Sequence, residues 1–205
     1  MSRRLLIATT NTAKLAEIRD ILAGVPVLLS SLADWPPMAE PAETGETFRD
    51  NARQKAFYYA EAIGLPTAAE DSGLEIEALG GAPGVRSARF PGATYPEKFA
   101  TIFRMLDERS ARDSPARFVC ALALVRGREV LFEARGVVHG RIAREPRGSG
   151  GFGYDPIFFY PPLGRTLAEV PPAQKAVVSH RGQAFRALRE FLAVHRGVPD
   201  TLLRP

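Results

Sequence analysis

Apolar residues recur along this chain with two different periods, and the elements change where the period changes. Leu5, Leu6 and Ile7 predict a short buried strand that runs into the polar turn Thr9-Thr10-Asn11-Thr12. Leu15, Ile18 and Leu22 then fall on one helical face, with Gly24 as the stop. "PVLLSSL" reads as a second strand, and the Pro-rich stretch "ADWPPMAEPAETG" as a loop over 33–45. A helix is predicted from Thr47 to Ile63, with Phe48, Ala52, Ala56, Tyr59 and Ile63 inward and Gly64 closing it. "TAAEDSGLEI" reads as a strand, a turn at Asp71-Ser72-Gly73, and another strand. Phe99, Ile102, Phe103 and Leu106 mark a third helix over Glu97–Glu108. "RFVCALALVR", a turn at Gly127 and "EVLFEARGVVHGRIA" predict a long hairpin. A last helix shows Ala184, Phe185, Leu188, Phe191 and Leu192 on its apolar face. Strand–helix units together with a hairpin predict an α/β fold with a mixed sheet.

Composition narrows the class. A chain of 205 residues with 45% hydrophobic content has room for a real core, as one large domain or two lobes around a cleft. No apolar run approaches the ~20 residues of a membrane helix, and the apolar stretch after Met1 is too short for a signal peptide. The single cysteine, Cys120, lies in an apolar strand pattern and suits a reducing, cytoplasmic setting. The net charge of +4 is mild, and Arg104, Arg109, Arg112, Arg117, Arg126, Arg128, Arg135 and Arg141 are scattered rather than clustered, which speaks against nucleic acid as a partner.

Candidate chemistry begins with "GSGGFGYDPIFFY" (148–160), where Gly148, Gly150 and Gly153 satisfy the spacing of a dinucleotide-binding turn. That turn must follow a strand and open a helix. Here it follows "AREPRGS" and leads through Tyr154-Asp155-Pro156 into a β-rich segment, so the dinucleotide reading is rejected. The turn Thr9-Thr10-Asn11-Thr12-Ala13-Lys14, between a strand end and a helix start, suits an anion, although Asn11 or Thr12 capping the helix explains the same residues. Lys55 follows Asn51 by one turn on the same face, where a solvated lysine is equally at home. Strand alternation sends the adjacent carboxylates Glu70 and Asp71 to opposite sides. Asp71, nearest the predicted turn, is the candidate to hold a magnesium ion or act on a water. Glu43 is a second candidate metal carboxylate, and both acids also suit ordinary turn or surface roles. Lys175, His180 and Arg181 stand close together before the last helix, while His139 and His195 have no evident partners. No His/Cys set has zinc spacing, and no G-x-S-x-G nucleophile appears. Together these features outline one ligand: lysines, a Thr/Asn turn and a magnesium carboxylate for a polyphosphate, with a Gly-aromatic loop and a His-Arg pair for a planar base.

The blocks "TTNTAKLAEI", "ETGETFRDNARQKA", "AEDSGLEIEALGGAPGVRSAR", "GSGGFGYDPIFF" and "QKAVVSHRGQA", in this order and over nearly the whole chain, resemble the inosine triphosphate pyrophosphatase family of the bacterial XTP/dITP type. The resemblance implies a single domain over 1–205 with a two-lobed α/β fold, a long twisted mixed sheet flanked by helices, and an active-site cleft between lobes. It implies hydrolysis of ITP, dITP and XTP to the monophosphate and pyrophosphate with magnesium, and a homodimer. It places Thr9, Thr10, Asn11, Thr12, Ala13, Lys14 and Lys55 on the triphosphate and Asp71 as base and metal ligand, with Ser72 beside it. Phe152, Gly153, Tyr154, Asp155, Lys175, His180 and Arg181 then surround the nucleoside, with Phe152 or Tyr154 offering a ring to stack on. Three positions depart from the family pattern: Glu70 stands where many relatives have Asp, and Ala42-Glu43 and Ala173-Gln174 stand where acidic pairs are frequent. The competing readings are a pyrophosphatase for modified pyrimidines and a non-catalytic nucleotide or nucleic-acid binder.

Overall fold

The computed structural model describes residues 4–194, so His195 lies outside the described residues. Its strands are β1 (Arg4–Ile7), β2 (Leu28–Ser31), β3 (Thr67–Ile76), β4 (Pro115–Arg126), β5 (Glu129–Ile142), β6 (Phe158–Tyr160) and β7 (Arg165–Thr166). Its helices are α1 (Thr12–Ile21), α2 (Phe48–Ile63), α3 (Tyr95–Asp107), α4 (Pro172–Val178) and α5 (His180–Val194). The hydrogen-bonded strand order is β2-β1-β3-β4-β5-β6-β7. β1 pairs in parallel with β2 and β3, whereas β6 pairs antiparallel with β5 and β7, so the sheet is mixed as expected.

The chain groups into two compact units. Within the described residues the first comprises 4–71, Cys120–Gly136 and 181–194. Its core joins Leu5 and Ile7 of β1, Ile18 and Ile21 of α1, Cys120, Leu122 and Leu124 of β4, and Ala184, Phe185, Leu188 and Leu192 of α5. The apolar face read from the sequence of α5 is therefore the face that packs. The second unit comprises Ser72–Val119 and Val137–His180. Leu74 and Ile76, the inward residues of α3, and Phe118, Tyr154, Ile157 and Phe158 form its core.

Capping chemistry explains the best-read helix. The Thr47 side chain accepts the Asp50 N–H at 3.1 Å, and Gly64, at φ 74°, ends α2 in the left-handed conformation. One reading needs correction. No turn interrupts Asp71-Ser72-Gly73, because β3 is continuous from Thr67 to Ile76. Gly73 is there for close approach: a Cβ at that position would stand 2.3 Å from Ser87 Oγ and 2.7 Å from the Gly84 carbonyl oxygen. Ser87 uses the space, accepting the Leu74 N–H at 2.9 Å and donating to Gly84 O at 2.7 Å. No helix among the described residues is long and apolar enough to cross a membrane.

Candidate active site

In the first unit, the chain leaves β1 and turns into α1 through the predicted Thr/Asn segment. Asn11 is the N-cap, its Oδ1 accepting the Lys14 N–H at 3.0 Å, so the capping role is real. Thr9 Oγ1 accepts the Asn11 N–H at 3.2 Å, and Thr10 Oγ1 donates to Glu40 at 3.1 Å. Thr12 and Ala13 are the first residues of α1, where backbone N–H groups lack helical acceptors.

The lysines expected at a polyphosphate are paired with carboxylates. Lys14 Nζ lies 2.6 Å from Glu70, and Lys55 Nζ lies 2.6 Å from Glu43 and 3.4 Å from the Glu70 carbonyl oxygen. Arg181, the first-unit residue of the Ser-His-Arg block, is fully buried and reaches Glu17 at 2.9 Å and Glu70 at 3.5 Å. Burial opposes ionisation of Glu70, but Lys14 and Arg181 overcome it and hold this carboxyl well below the ordinary range.

Asp71, its neighbour on the other side of the strand, is treated in the opposite way. Burial pushes its carboxyl up to about 6, and the hydrogen bond from Asn51 and the charge of Lys55 only partly offset that. Alternation along β3 thus separates a cation-bound acid held well below the ordinary carboxylate range from one raised to about 6. Glu43 and Glu70 are close enough to Asp71 to raise it further.

Asn51 is the participant the sequence reading left without a role. It is fully buried on α2, and its Nδ2 donates to Asp71 Oδ2 at 2.9 Å while its Oδ1 accepts the Gly45 N–H at 2.8 Å. The available signal was an amide among Phe48, Ala52 and Ala56 on an apolar face, where a polar side chain needs partners.

In the second unit, Asp155 organises the glycine loop. Its Oδ2 accepts the Phe152 N–H at 2.8 Å and pairs with Lys175 Nζ at 2.7 Å, both side chains being buried. The Lys175 ammonium also sits 4.4 Å from the centre of the Phe152 ring. Gly151, at φ 68°, is required because a Cβ there would stand 2.2 Å from Asp155 Oδ2. Gly151 accordingly serves the loop's own closure, while Gly148 and Gly150 let the chain approach the Ala168 backbone, where a Cβ would stand 2.5 and 2.9 Å away. Tyr154 is buried and donates its hydroxyl to the Ser87 carbonyl at 2.8 Å, which commits this ring to the core. Removing that donor with Tyr154→Phe leaves a buried carbonyl unpaired, and a loss of roughly 1–3 kcal/mol in urea denaturation is expected. An unchanged urea midpoint would show that the bond contributes nothing.

Lys175, His180 and Arg181 each have partners within their own unit. Lys175 belongs to α4 and pairs with Asp155, and His180 opens α5 with its ring stacked on Phe118 at 4.8 Å and 13°. Arg181 turns to Glu17 and Glu70. Ser72 directly follows Asp71 on β3 and is partly exposed.

The model of the Ham1 family matches residues 5–191. The chain is 44% identical over 191 residues to the dITP/XTP pyrophosphatase of Geobacter sulfurreducens, covering 92% of this chain and 96% of that one. It is 48% identical over 198 residues to the dITP/XTP pyrophosphatase of Mycobacterium bovis, covering 90% and 93%. Among solved structures it is similar to a HAM1 protein from Coxiella burnetii, with TM-score 0.87, 39% identity and coverage of 95% of this chain and 100% of that one. The Ham1 protein of Staphylococcus aureus gives TM-score 0.84 at 33% identity, covering 95% and 100%.

Proposed function

Since the chain belongs to the Ham1 family, we propose that it is the enzyme that hydrolyses ITP, dITP and XTP to the nucleoside monophosphate and pyrophosphate. The observation that carries the chemistry is the carboxylate pair of β3. Glu70 is locked to cations, and Asp71 is poised at about 6, where a carboxylate can exchange a proton near neutral pH.

Thr9, Thr10, Asn11, Thr12, Ala13, Lys14 and Lys55 hold the triphosphate in this reading. In the same reading Phe152 stacks on the base, Gly153, Tyr154, Asp155, Lys175, His180 and Arg181 contact the nucleoside, and Ser72 stands beside Asp71. Asp71 takes a proton from a water that attacks the α-phosphorus. The bond from that phosphorus to its bridging oxygen breaks, and the charge of the departing pyrophosphate falls to Lys14 and Lys55. Both lysines exchange a carboxylate partner for phosphate oxygens in doing so.

Asp71 and Glu43 fit magnesium. They offer hard oxygen donors, and magnesium typically takes one or two protein carboxylates alongside waters and substrate phosphates. Among the described residues no group of three or more acidic, His or Cys side chains could hold a metal ion, so waters and substrate phosphates would complete the shell around these two carboxylates. A magnesium ion held there would help neutralise phosphate charge in the transition state. A homodimer in the cytoplasm, acting on free nucleotides without nucleic acid or membrane partners, completes the proposal.

The test is product identity. ³¹P NMR of an ITP digest should show inosine monophosphate and pyrophosphate as the first products, and diphosphate with orthophosphate would overturn the reading.

A further inference from the structure

We propose that Asn51 is a positioning residue that ties the Asp71 carboxylate to the loop carrying Glu43. The inference rests on the reading that these two acids hold the metal. A backbone N–H can only donate and an ionised carboxylate can only accept. The Asn51 amide meets one of each, Gly45 N–H on its oxygen at 2.8 Å and Asp71 Oδ2 on its nitrogen at 2.9 Å, so its orientation is settled by its partners. The site is built around that contact. A Cβ at Gly45 would stand 2.7 Å from Asn51 Oδ1 and 2.7 Å from Asp50 Cβ, so the loop comes this close only because residue 45 has no side chain.

Glu43 lies two residues before Gly45 and is bonded to Lys55, which follows Asn51 by one turn on the same face of α2. One helical face therefore fixes both acids: Asn51 holds Asp71 and the loop backbone, and Lys55 holds the Glu43 carboxylate. Thr44 reinforces the register, its N–H reaching Gln54 Oε1 at 3.4 Å. An amide with both ends bonded and no exposure is stiff, and stiffness is what the geometry of a two-carboxylate site requires.

Asn51→Leu keeps the approximate volume and removes both bonds. Gly45→Ala approaches from the loop side and crowds Asn51 without touching Asp71. Two readouts separate positioning from mere folding: Mn²⁺ affinity by EPR of the protein saturated with a non-hydrolysable ITP analogue, and the division of the activity loss between kcat and KM for ITP. Asn51→Leu is expected to weaken Mn²⁺ binding by roughly 10-fold or more and to lower kcat by roughly 10–100-fold, with KM changed far less. Gly45→Ala should move both readouts the same way by a smaller factor. If either variant is well folded by near-UV circular dichroism and keeps both at wild-type values while Asp71→Asn loses both, the positioning role is overturned and the metal reading stands. If Asp71→Asn and Glu43→Gln leave Mn²⁺ affinity unchanged, the metal reading fails instead. Asn51 is then judged on kcat alone, an unchanged value overturning its role and a ten-fold or larger fall supporting it.

Discussion

Asp71→Asn should lower kcat for ITP by at least ~100-fold while leaving nucleotide binding largely intact. The substituted amide fills the same space and still offers Asn51 an oxygen. It cannot carry the charge proposed to hold magnesium, and it cannot accept a proton from water. The wild-type pH profile should show the same group: kcat/KM falls as pH drops through about 6, because the raised carboxyl is then protonated and no longer a base. The stability consequence has the opposite sign. A carboxyl raised above its unfolded value of 3.8 contributes stability that is complete below that value and is lost as pH rises through about 6. At neutral pH in EDTA, Asp71→Asn should therefore melt at a higher temperature than wild type. Retention of more than about a tenth of the wild-type rate would remove Asp71 from the role of base.

The second large effect concerns the base. Hypoxanthine and xanthine carry a hydrogen-bond-accepting oxygen at position 6 beside a protonated N1, whereas adenine carries an amine beside an unprotonated N1. A pocket that offers donors to the 6-oxygen meets adenine donor to donor, leaving buried groups unpaired at roughly 1–3 kcal/mol each. Sites built on such pairing discriminate by up to about 10⁴–10⁵, so kcat/KM for ITP and XTP should exceed that for ATP by at least roughly 100-fold. Guanine shares the 6-oxygen, and the same argument does not separate GTP. Arg181, which the resemblance places at the nucleoside, is the candidate donor, and it can never become an acceptor. The structure gives it a second occupation, since its guanidinium meets Glu17 and Glu70 in a fully buried position. Steady-state kinetics of Arg181→Ala decide between the two. A shrunken ITP-to-ATP ratio assigns Arg181 to the base, while an equal fall for both nucleotides assigns it to holding Glu70 beside Lys14.

Local signals were legible where local physics decides. Thr47 and Gly64 bracket α2 because caps act within one turn, and the apolar spacing of α5 is the face that packs. Asp-Ser-Gly read as a turn because those residues favour turns, yet β3 runs straight through. Gly73 answers to Ser87, fourteen residues away in the chain and invisible to any local window. Motif order singled out Asp71, Lys14, Lys55 and the glycine loop as candidates. Pairing could not be read in the same way: nothing local says that Lys175 belongs to Asp155, or that Arg181 reaches Glu70. Asn51 was passed over for the same reason, its partners lying in a loop before α2 and on a strand after it.

The most direct measurement is a panel of ITP, dITP, XTP, ATP and GTP, each digested with magnesium and resolved by HPLC. The account predicts monophosphate and pyrophosphate from the first three, with kcat/KM at least roughly 100-fold above that for ATP. Cleavage of ATP as efficient as that of ITP would contradict it.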